Sequence, residues 1–525
     1  MSRLLPFLLY FHFAIVLCNA QGFKNPIIEG FHPDPSVCKV GDDFYLVNSS
    51  FAYFPGVPIF HSKDLVNWEQ IGHCLTRESQ LNLQNAGISE GIYAPTIRYH
   101  KGVFYMVSTN VSHKGNFLVY TEDPKGEWSE PIWLEQKGID PSLFFEGGKC
   151  YLTVNPDNQI YLSEIDPKTG EQLSEPIPIW SGTGGRYPEA PHIYKKDDWY
   201  FLLLSEGGTE YGHTVTIARS RNIEGPYEPN PKNPILTHIG VETQTSPIQG
   251  TGHGDFVQAE DGSWWVVFLG FRPQSGNHHM LGRETFLAPV SWNNDNWPVI
   301  NKSGTVSLDM NVPTLALQPF EDSKEPANFT KKELGHKWNY IRNPIMNNYS
   351  INDEEGSINL KVSPVSLNDK GSPTLIARRQ EHINFTSIVK LNLLDARKKD
   401  EAGITVFMDH KSHYDLFLRQ KNNSKQQLVL RYILGELNHE KVITELSNEE
   451  VIYLNVGGSN DYYDFSYSLD GKEYNFIDKM DVRYLSSETA GGFTGIMLGM
   501  FAVSDEHKSK GFGKFYEFDY SSSEE

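Results

Sequence analysis

Three acidic residues open segments built on one plan. Asp34 stands in HPDPS, Asp140 in IDPSLF and Glu189 in PEAPH, each at a Pro-containing entry into a run of strand-forming residues. One Asp-Pro alone is an ordinary turn into a strand. Three carboxylates in the same register, spread along the chain, suggest chemistry if the fold gathers them. Hydrolysis of a glycosidic bond uses such a set: a carboxylic acid protonates the leaving oxygen and a second carboxylate activates water on the opposite face. In an inverting arrangement the two stand about 6.5–9.5 Å apart, with the water between them. The acid must keep its proton near neutral pH, and a third carboxylate beside it raises its pKa by like-charge repulsion.

Five segments share the plan that positions these residues. They are DPSVCKVGDDFYLVNSS from Asp34, APTIRYHKGVFYMVSTN from Ala94, DPSLFFEGGKCYLTVNP from Asp140, APHIYKKDDWYFLLLSE from Ala190 and GDFVQAEDGSWWVVFLG from Gly254. Each reads as a short strand, a Gly or Asp turn, and a strand rich in Tyr, Trp, Phe and Val, which is a hairpin signal. A further strand and an Asp-containing turn follow most of them, as in IFHSKDLVNWEQI. A recurrence of roughly 45–65 residues fits a four-stranded blade, and five such units predict a five-bladed β-propeller. The plainer alternative is a β-sandwich whose hairpins coincide. In a propeller the first strand of every blade lines the central channel, so Asp34, Asp140 and Glu189 would meet at one mouth, with Ala94 and His253-Gly254-Asp255 at the matching places of the other two blades.

The whole chain has 525 residues, enough for two or three domains. Lys+Arg 46 against Asp+Glu 66 leaves a formal charge of −20, which repels polyanions and excludes nucleic acid as an expected partner. Charged residues at 21% and aromatics at 13% are the wrong balance for a disordered chain. Residues 1–20 read as a signal peptide cut before Gln21: Arg3 precedes an apolar run from Leu4 to Cys18. That run is shorter than the roughly 20 residues of a membrane span, so no span is expected and the localisation read is secreted or periplasmic. Cys38, Cys74 and Cys150 then remain, an odd number that implies no disulfide framework and leaves one pair open.

At this point a family resemblance becomes visible. NPIIEGFHPDPSVCKVGDDFYLVNSSFAYFPGVPIFHSKDLVNW, GIYAPTIRYHKGVFYMV, GIDPSLFFEGGKCYL, YPEAPHIYKKDDWYFLL, GTGHGDFVQAEDGSWWVVFLGFRP and LGRETFLAPVSW resemble, in order, the motifs of glycoside hydrolase family 43. The resemblance runs from about Asn25 to the C-terminus and implies inverting β-xylosidases and α-L-arabinofuranosidases on a five-bladed propeller. It implies Asp34 as general base, Asp140 as the residue that orients the acid and raises its pKa, and Glu189 as general acid. It makes Arg283 the hydrogen-bonding arginine of the terminal sugar's subsite, and Phe51, Tyr53, Phe54 and Tyr93 its aromatic walls. His253, in GTGHGD, resembles a channel histidine. It stands as a substrate-site residue, and as either the protein ligand of a largely water-held Ca²⁺ or a histidine bonded to water. No cofactor is otherwise required. His278 and His279 read as loop residues near the site.

Two positions depart from the family pattern. Glu90 replaces a small residue near the mouth, and Ala190 follows the acid where Gly is usual. Both bear on the substrate more than on the reaction.

Beyond a linker placed at 318–335, short alternating strands with Gly and Asp turns predict a β-sandwich over 336–525. This stretch resembles the concanavalin-like C-terminal domain of certain family members, where it can carry a loop to the pocket. The expected protein, all-β throughout, is a secreted, exo-acting, inverting glycosidase. It would remove β-D-xylosyl or α-L-arabinofuranosyl units from xylan- or arabinoxylan-derived oligosaccharides, with the choice between them and the oligomeric state open. The alternative from another class is a catalytically silent carbohydrate-binding propeller. A fructan-cleaving enzyme is set aside, since its Asn-Asp-Pro-Asn-Gly opening is absent.

Overall fold

The computed structural model describes residues 21–242, 246–312, 315–320, 327–448, 450–505 and 508–523. The signal-peptide reading and part of the expected linker lie outside them. The hairpin signals become five antiparallel four-stranded blades. Their innermost strands are Ser36–Val40, Thr96–His100, Ile139–Glu146, Glu189–Lys196 and Gln249–Gln258. The fourth blade carries an extra short strand, Leu236–Thr237, beside Thr214–Ser220. Branched and aromatic residues pair across the hairpins as their pleat demands, for example Leu143 with Leu152 and Phe256 with Val266.

A blade alone cannot cover both of its faces, so neighbouring blades share apolar clusters. Phe44 and Leu46 of the first blade, Phe201 of the fourth and Trp265 and Phe286 of the fifth belong to one such cluster, which closes the ring. The ring is also tied near its ends. Gln21–Lys24 pairs with Asp309–Val312, and the Asn25 side chain bonds both ways with the Leu287 backbone.

A polar hub joins the innermost strands of all five blades. Asp255 of the fifth blade accepts from Ser36 Oγ at 2.7 Å, from both terminal nitrogens of Arg98 at 2.8 and 3.1 Å, and from the Tyr194 hydroxyl at 2.5 Å. Arg98 also donates to His192 Nδ1, which the Ser142 hydroxyl reaches at 2.9 Å. Asp255 is fully buried, and its carboxyl is held well below the ordinary carboxylate range: burial opposes ionisation, but Arg98, His192 and the Tyr194 hydroxyl together outweigh it.

The C-terminal half is a sandwich of an eight-stranded and a seven-stranded sheet around one apolar core that includes Leu391, Ile404, Leu416, Phe465 and Met500. The eight-stranded sheet does not end within this half. Its last strand from this half, Asn339–Ile341, pairs with Tyr53–Phe54, a segment of the propeller chain that forms the eighth strand. Tyr53 and Phe54, expected as subsite walls, therefore serve the domain junction. Tyr53 is 0% exposed and packs among Ile341, Phe417 and Phe501, while Phe54 lies at the same cluster's edge. Arg342 and Arg379 of the sandwich donate to the backbone carbonyls of Ala86 and Phe31, fastening the same junction. Cys38, Cys74 and Cys150 are all buried and free.

Candidate active site

The innermost strands are irregular at their mouth ends. The register slips between Ile139 and Ser142, between Glu189 and His192, and around Gly252 to Asp255. Asp140, Ala190 and His253 sit in these bulges with φ of 52°, 53° and 49°, and Asp34 has φ 54° just before its strand. Bulges re-aim side chains next to functional sites, and left-handed non-Gly residues persist only where the surroundings hold them. Ala190 thus adopts the conformation in which Gly is the usual residue.

Asp34 is 5% exposed. Ser49 Oγ donates to its Oδ2 at 2.5 Å and Arg283 Nη1 to its Oδ1 at 3.0 Å, while His253 Nδ1 lies 3.8 Å from Oδ1. Burial works against the charge of Asp34, but Arg283, His253 and the Ser49 hydroxyl outweigh it and leave its pKa below the ordinary value. Asp140, 7% exposed, goes the other way. Burial first, then the charges of Glu189 and Asp34, push its pKa well up, against the pull of the Ala190 N–H bonded to its Oδ2 at 3.1 Å. Asp140 and Glu189 are thus neighbours at the mouth, since the Glu189 charge ranks next to burial in raising Asp140. Glu189 is the more open member, with 16% of its side chain exposed, and its Oε1 lies 3.1 Å from His213 Nε2. One carboxylate held ionised and one carboxyl pushed toward its protonated form thus meet at one mouth beside Glu189, an environment of the kind acid–base hydrolysis uses.

Arg283 is the hinge of the surrounding pocket. Beyond Asp34 it donates to Thr209 Oγ1 at 2.7 Å and, through Nη2, to the Phe493 carbonyl at 3.0 Å. Phe493 comes from the sandwich, on the turn that follows the short helix Ser487–Ala490. Its ring stacks on Phe51 at 6.3 Å and meets Tyr93 edge-on at 6.4 Å, and the Arg283 guanidinium lies 5.8 Å from both the Phe51 and Phe493 rings. Phe51, Tyr93 and Phe493 thus form an aromatic cage beside the arginine. Phe493 remains 41% exposed at its rim. The turn is moored by the Phe493 N–H to Ser89 Oγ and by Glu488 to His279.

The structure brings Asp34, Asp140, Glu189, Arg283 and His253 to one mouth, with Phe51 and Tyr93 alongside, and it takes Tyr53 and Phe54 elsewhere. Glu90 caps its own turn, accepting from the Gly87 N–H at 2.7 Å. His278 faces its own loop, and His279 stacks on Phe271 at 4.1 Å. Reading the sequence missed His213, Ser49, Thr209 and Phe493. A signal existed for His213: a Cβ at Gly252 would lie 2.2 Å from its ring, so the Gly of GTGHGD is there to admit it. Among the described residues no group of three or more His, Cys, Asp or Glu side chains could hold a metal. His253 offers one imidazole nitrogen, and a Ca²⁺ in the channel, which prefers oxygen ligands, would take the rest of its shell from water.

Comparison with known proteins agrees with this geometry. Residues 23–298 match the model of glycosyl hydrolases family 43, and residues 327–521 match the β-xylosidase C-terminal concanavalin A-like domain. The chain belongs to glycosyl hydrolase family 43. It is 40% identical to a non-reducing end α-L-arabinofuranosidase of Bacteroides ovatus over 99% of this chain and 98% of that protein. A xylosidase/arabinosidase of Butyrivibrio fibrisolvens is 37% identical over 94% of this chain and 98% of its own. The solved structure of the xyloglucan-locus GH43B of Bacteroides ovatus superposes with a TM-score of 0.89 at 39% identity, covering 96% of this chain and all of that one. The protein is therefore a glycosidase of the pentose-removing xylosidase/arabinofuranosidase type, a five-bladed propeller joined to a concanavalin-like sandwich.

Proposed function

We propose that the protein is an exported, exo-acting, inverting pentosidase that releases non-reducing α-L-arabinofuranosyl units from hemicellulose oligosaccharides and accepts β-D-xylosyl units less well. One observation carries the acid–base part of the reading: Asp34 is held ionised by Arg283, while burial and the charges of Glu189 and Asp34 push the pKa of Asp140 well up. The ionised Asp34 takes a proton from water as it attacks the anomeric carbon. Glu189 delivers its proton to the departing oxygen, and Asp140, which accepts from the Ala190 N–H next to the acid, holds that strand end in place. Arg283 holds the sugar hydroxyls with its planar fork, and the aromatic cage packs on the ring's C–H face.

Exo action rests on Phe493, which reaches the mouth from the second domain and walls the side beside Arg283, Phe51 and Tyr93. The arabinofuranosyl preference rests on the relatives named above. Export rests on the Arg3-to-Ala20 pattern. The silent-binder alternative is disfavoured, since all three carboxylates are in place.

Parallel assays on 4-nitrophenyl α-L-arabinofuranoside and β-D-xylopyranoside test the reading. A higher kcat/KM on the first supports it. A higher value on the second makes the protein a β-xylosidase, and turnover of neither leaves the binding role. NMR of the first-formed product should show the anomer opposite to that of the substrate.

A further inference from the structure

The loop just before Glu189 carries an exposed aromatic residue that the reaction has not yet used. Tyr187 is 56% exposed, and its backbone is left-handed with φ 51°. A bulky residue pays for that conformation, and such residues gather where a ligand must be met. Its ring is supported from two sides. The Arg186 guanidinium lies 5.4 Å over it, and Arg186 Nη2 is itself tied to the Gly207 carbonyl at 2.9 Å. On the other side a Cβ at Gly208 would lie 3.2 Å from the ring, so the missing side chain lets the ring lie against the backbone.

Below, a buried carboxylate fixes the loop. Glu206 accepts from Thr183 N and Oγ1, from Gly185 N and from Thr216 Oγ1, all between 2.7 and 3.0 Å. The residue after Gly208 is Thr209, which receives the Arg283 bond at 2.7 Å. A short path of contacts therefore runs from the arginine through Thr209 and Gly208 to Tyr187. The general acid must reach the oxygen that joins the terminal sugar to the next one. Tyr187 stands two residues before the acid and presents its exposed aromatic face on the loop that this path ties to Arg283.

We propose that Tyr187, stiffened by Arg186 and by the loop anchored on Glu206, is the stacking platform for the leaving-group sugar. This rests on the glycosidase reading above. The platform selects oligosaccharides over simple glycosides, because a ring face contributes only when a second pyranose covers it.

The test uses the full chain with Tyr187→Ala and Tyr187→Phe. Three quantities are measured: kcat/KM on an arabinosylated xylo-oligosaccharide, kcat/KM on a methyl pentoside with the same terminal sugar, and the inhibition constant of the free pentose. The expected result is a loss of about tenfold on the oligosaccharide for Tyr187→Ala, with Tyr187→Phe within twofold of wild type. The methyl pentoside and the free pentose, which leave the platform uncovered, should change by less than twofold in both variants. Three results would each overturn the proposal: an unchanged oligosaccharide rate in Tyr187→Ala, a parallel loss on the methyl pentoside, or a Phe variant as poor as the Ala variant. Wild-type protein inert on every pentoside would instead overturn the glycosidase reading and this proposal with it.

Discussion

Arg283 Nη1 lies 3.0 Å from Asp34 Oδ1, so one guanidinium both keeps the proposed base charged and stands beside the aromatic cage. Its removal should act on pH as well as on binding. Asp34 has a lowered pKa, and Arg283 is the strongest of the groups lowering it. A base works only when unprotonated, so activity falls as pH drops through the folded value. Arg283→Met raises that value, and the acidic limb of the kcat/KM profile should move to higher pH. A limb that stays put, in a variant of normal melting temperature, would contradict the pairing.

Replacing either reacting carboxylate should be severe. Asp34→Asn and Glu189→Gln are each expected to cost about 10²–10⁴-fold in kcat with circular dichroism unchanged. Near-native turnover of a nitrophenyl pentoside by either variant would show that its role is wrongly assigned.

Asp140→Asn should shift the opposite limb. Asp140 has a raised pKa through burial and the charges of Glu189 and Asp34. Asn carries no titrating proton, so a basic limb set by the Asp140 carboxyl should move while maximal activity falls. An unmoved basic limb would show that Asp140 does not set it.

The hub at the ring's centre should govern stability. Asp255 has a depressed pKa, so its contribution is present above the ordinary value near 3.9 and is lost as pH falls toward the folded one. Asp255→Ala leaves Arg98 buried without its partner, at a cost of about 3–5 kcal/mol. Thermal melts at neutral pH should show the propeller markedly weakened. A variant that melts like wild type would mean that the five strands do not depend on this anion.

Gly495 should prove sensitive although it touches no sugar. A Cβ there would lie 2.5 Å from the Leu281 carbonyl and 2.8 Å from Gly282 N, backbone atoms next to Arg283. Gly495→Ala must push the Phe493 turn away from the pocket. A rise in KM for pentosides, larger than any fall in melting temperature explains, is the expected outcome, and unchanged KM values would detach Phe493 from substrate binding.

Much of this was legible in the chain because it repeats. Five hairpins in one register disclose the ring, and the register alone aligns Asp34, Asp140 and Glu189. What stayed hidden depends on contacts between distant parts of the sequence. Tyr53 and Phe54 read as subsite walls because their motif lies beside Phe51, yet their partners are residues 339–341, supplied by the other domain. Phe493 sits in an unremarkable Gly-rich turn and gains meaning only beside Arg283, 210 positions away. Glu90 looked like a charge aimed at the mouth, but the free N–H of Gly87 three residues earlier claims it.

The strand shared by Tyr53–Phe54 and Asn339–Ile341 makes the two halves poor candidates for separate expression. A truncated N-terminal fragment would bare a two-residue ribbon and the apolar rings behind it, a sticky edge that invites aggregation. Architectures that shuffle this catalytic module would have to carry its companion along, so the pair is best regarded as a single inherited unit.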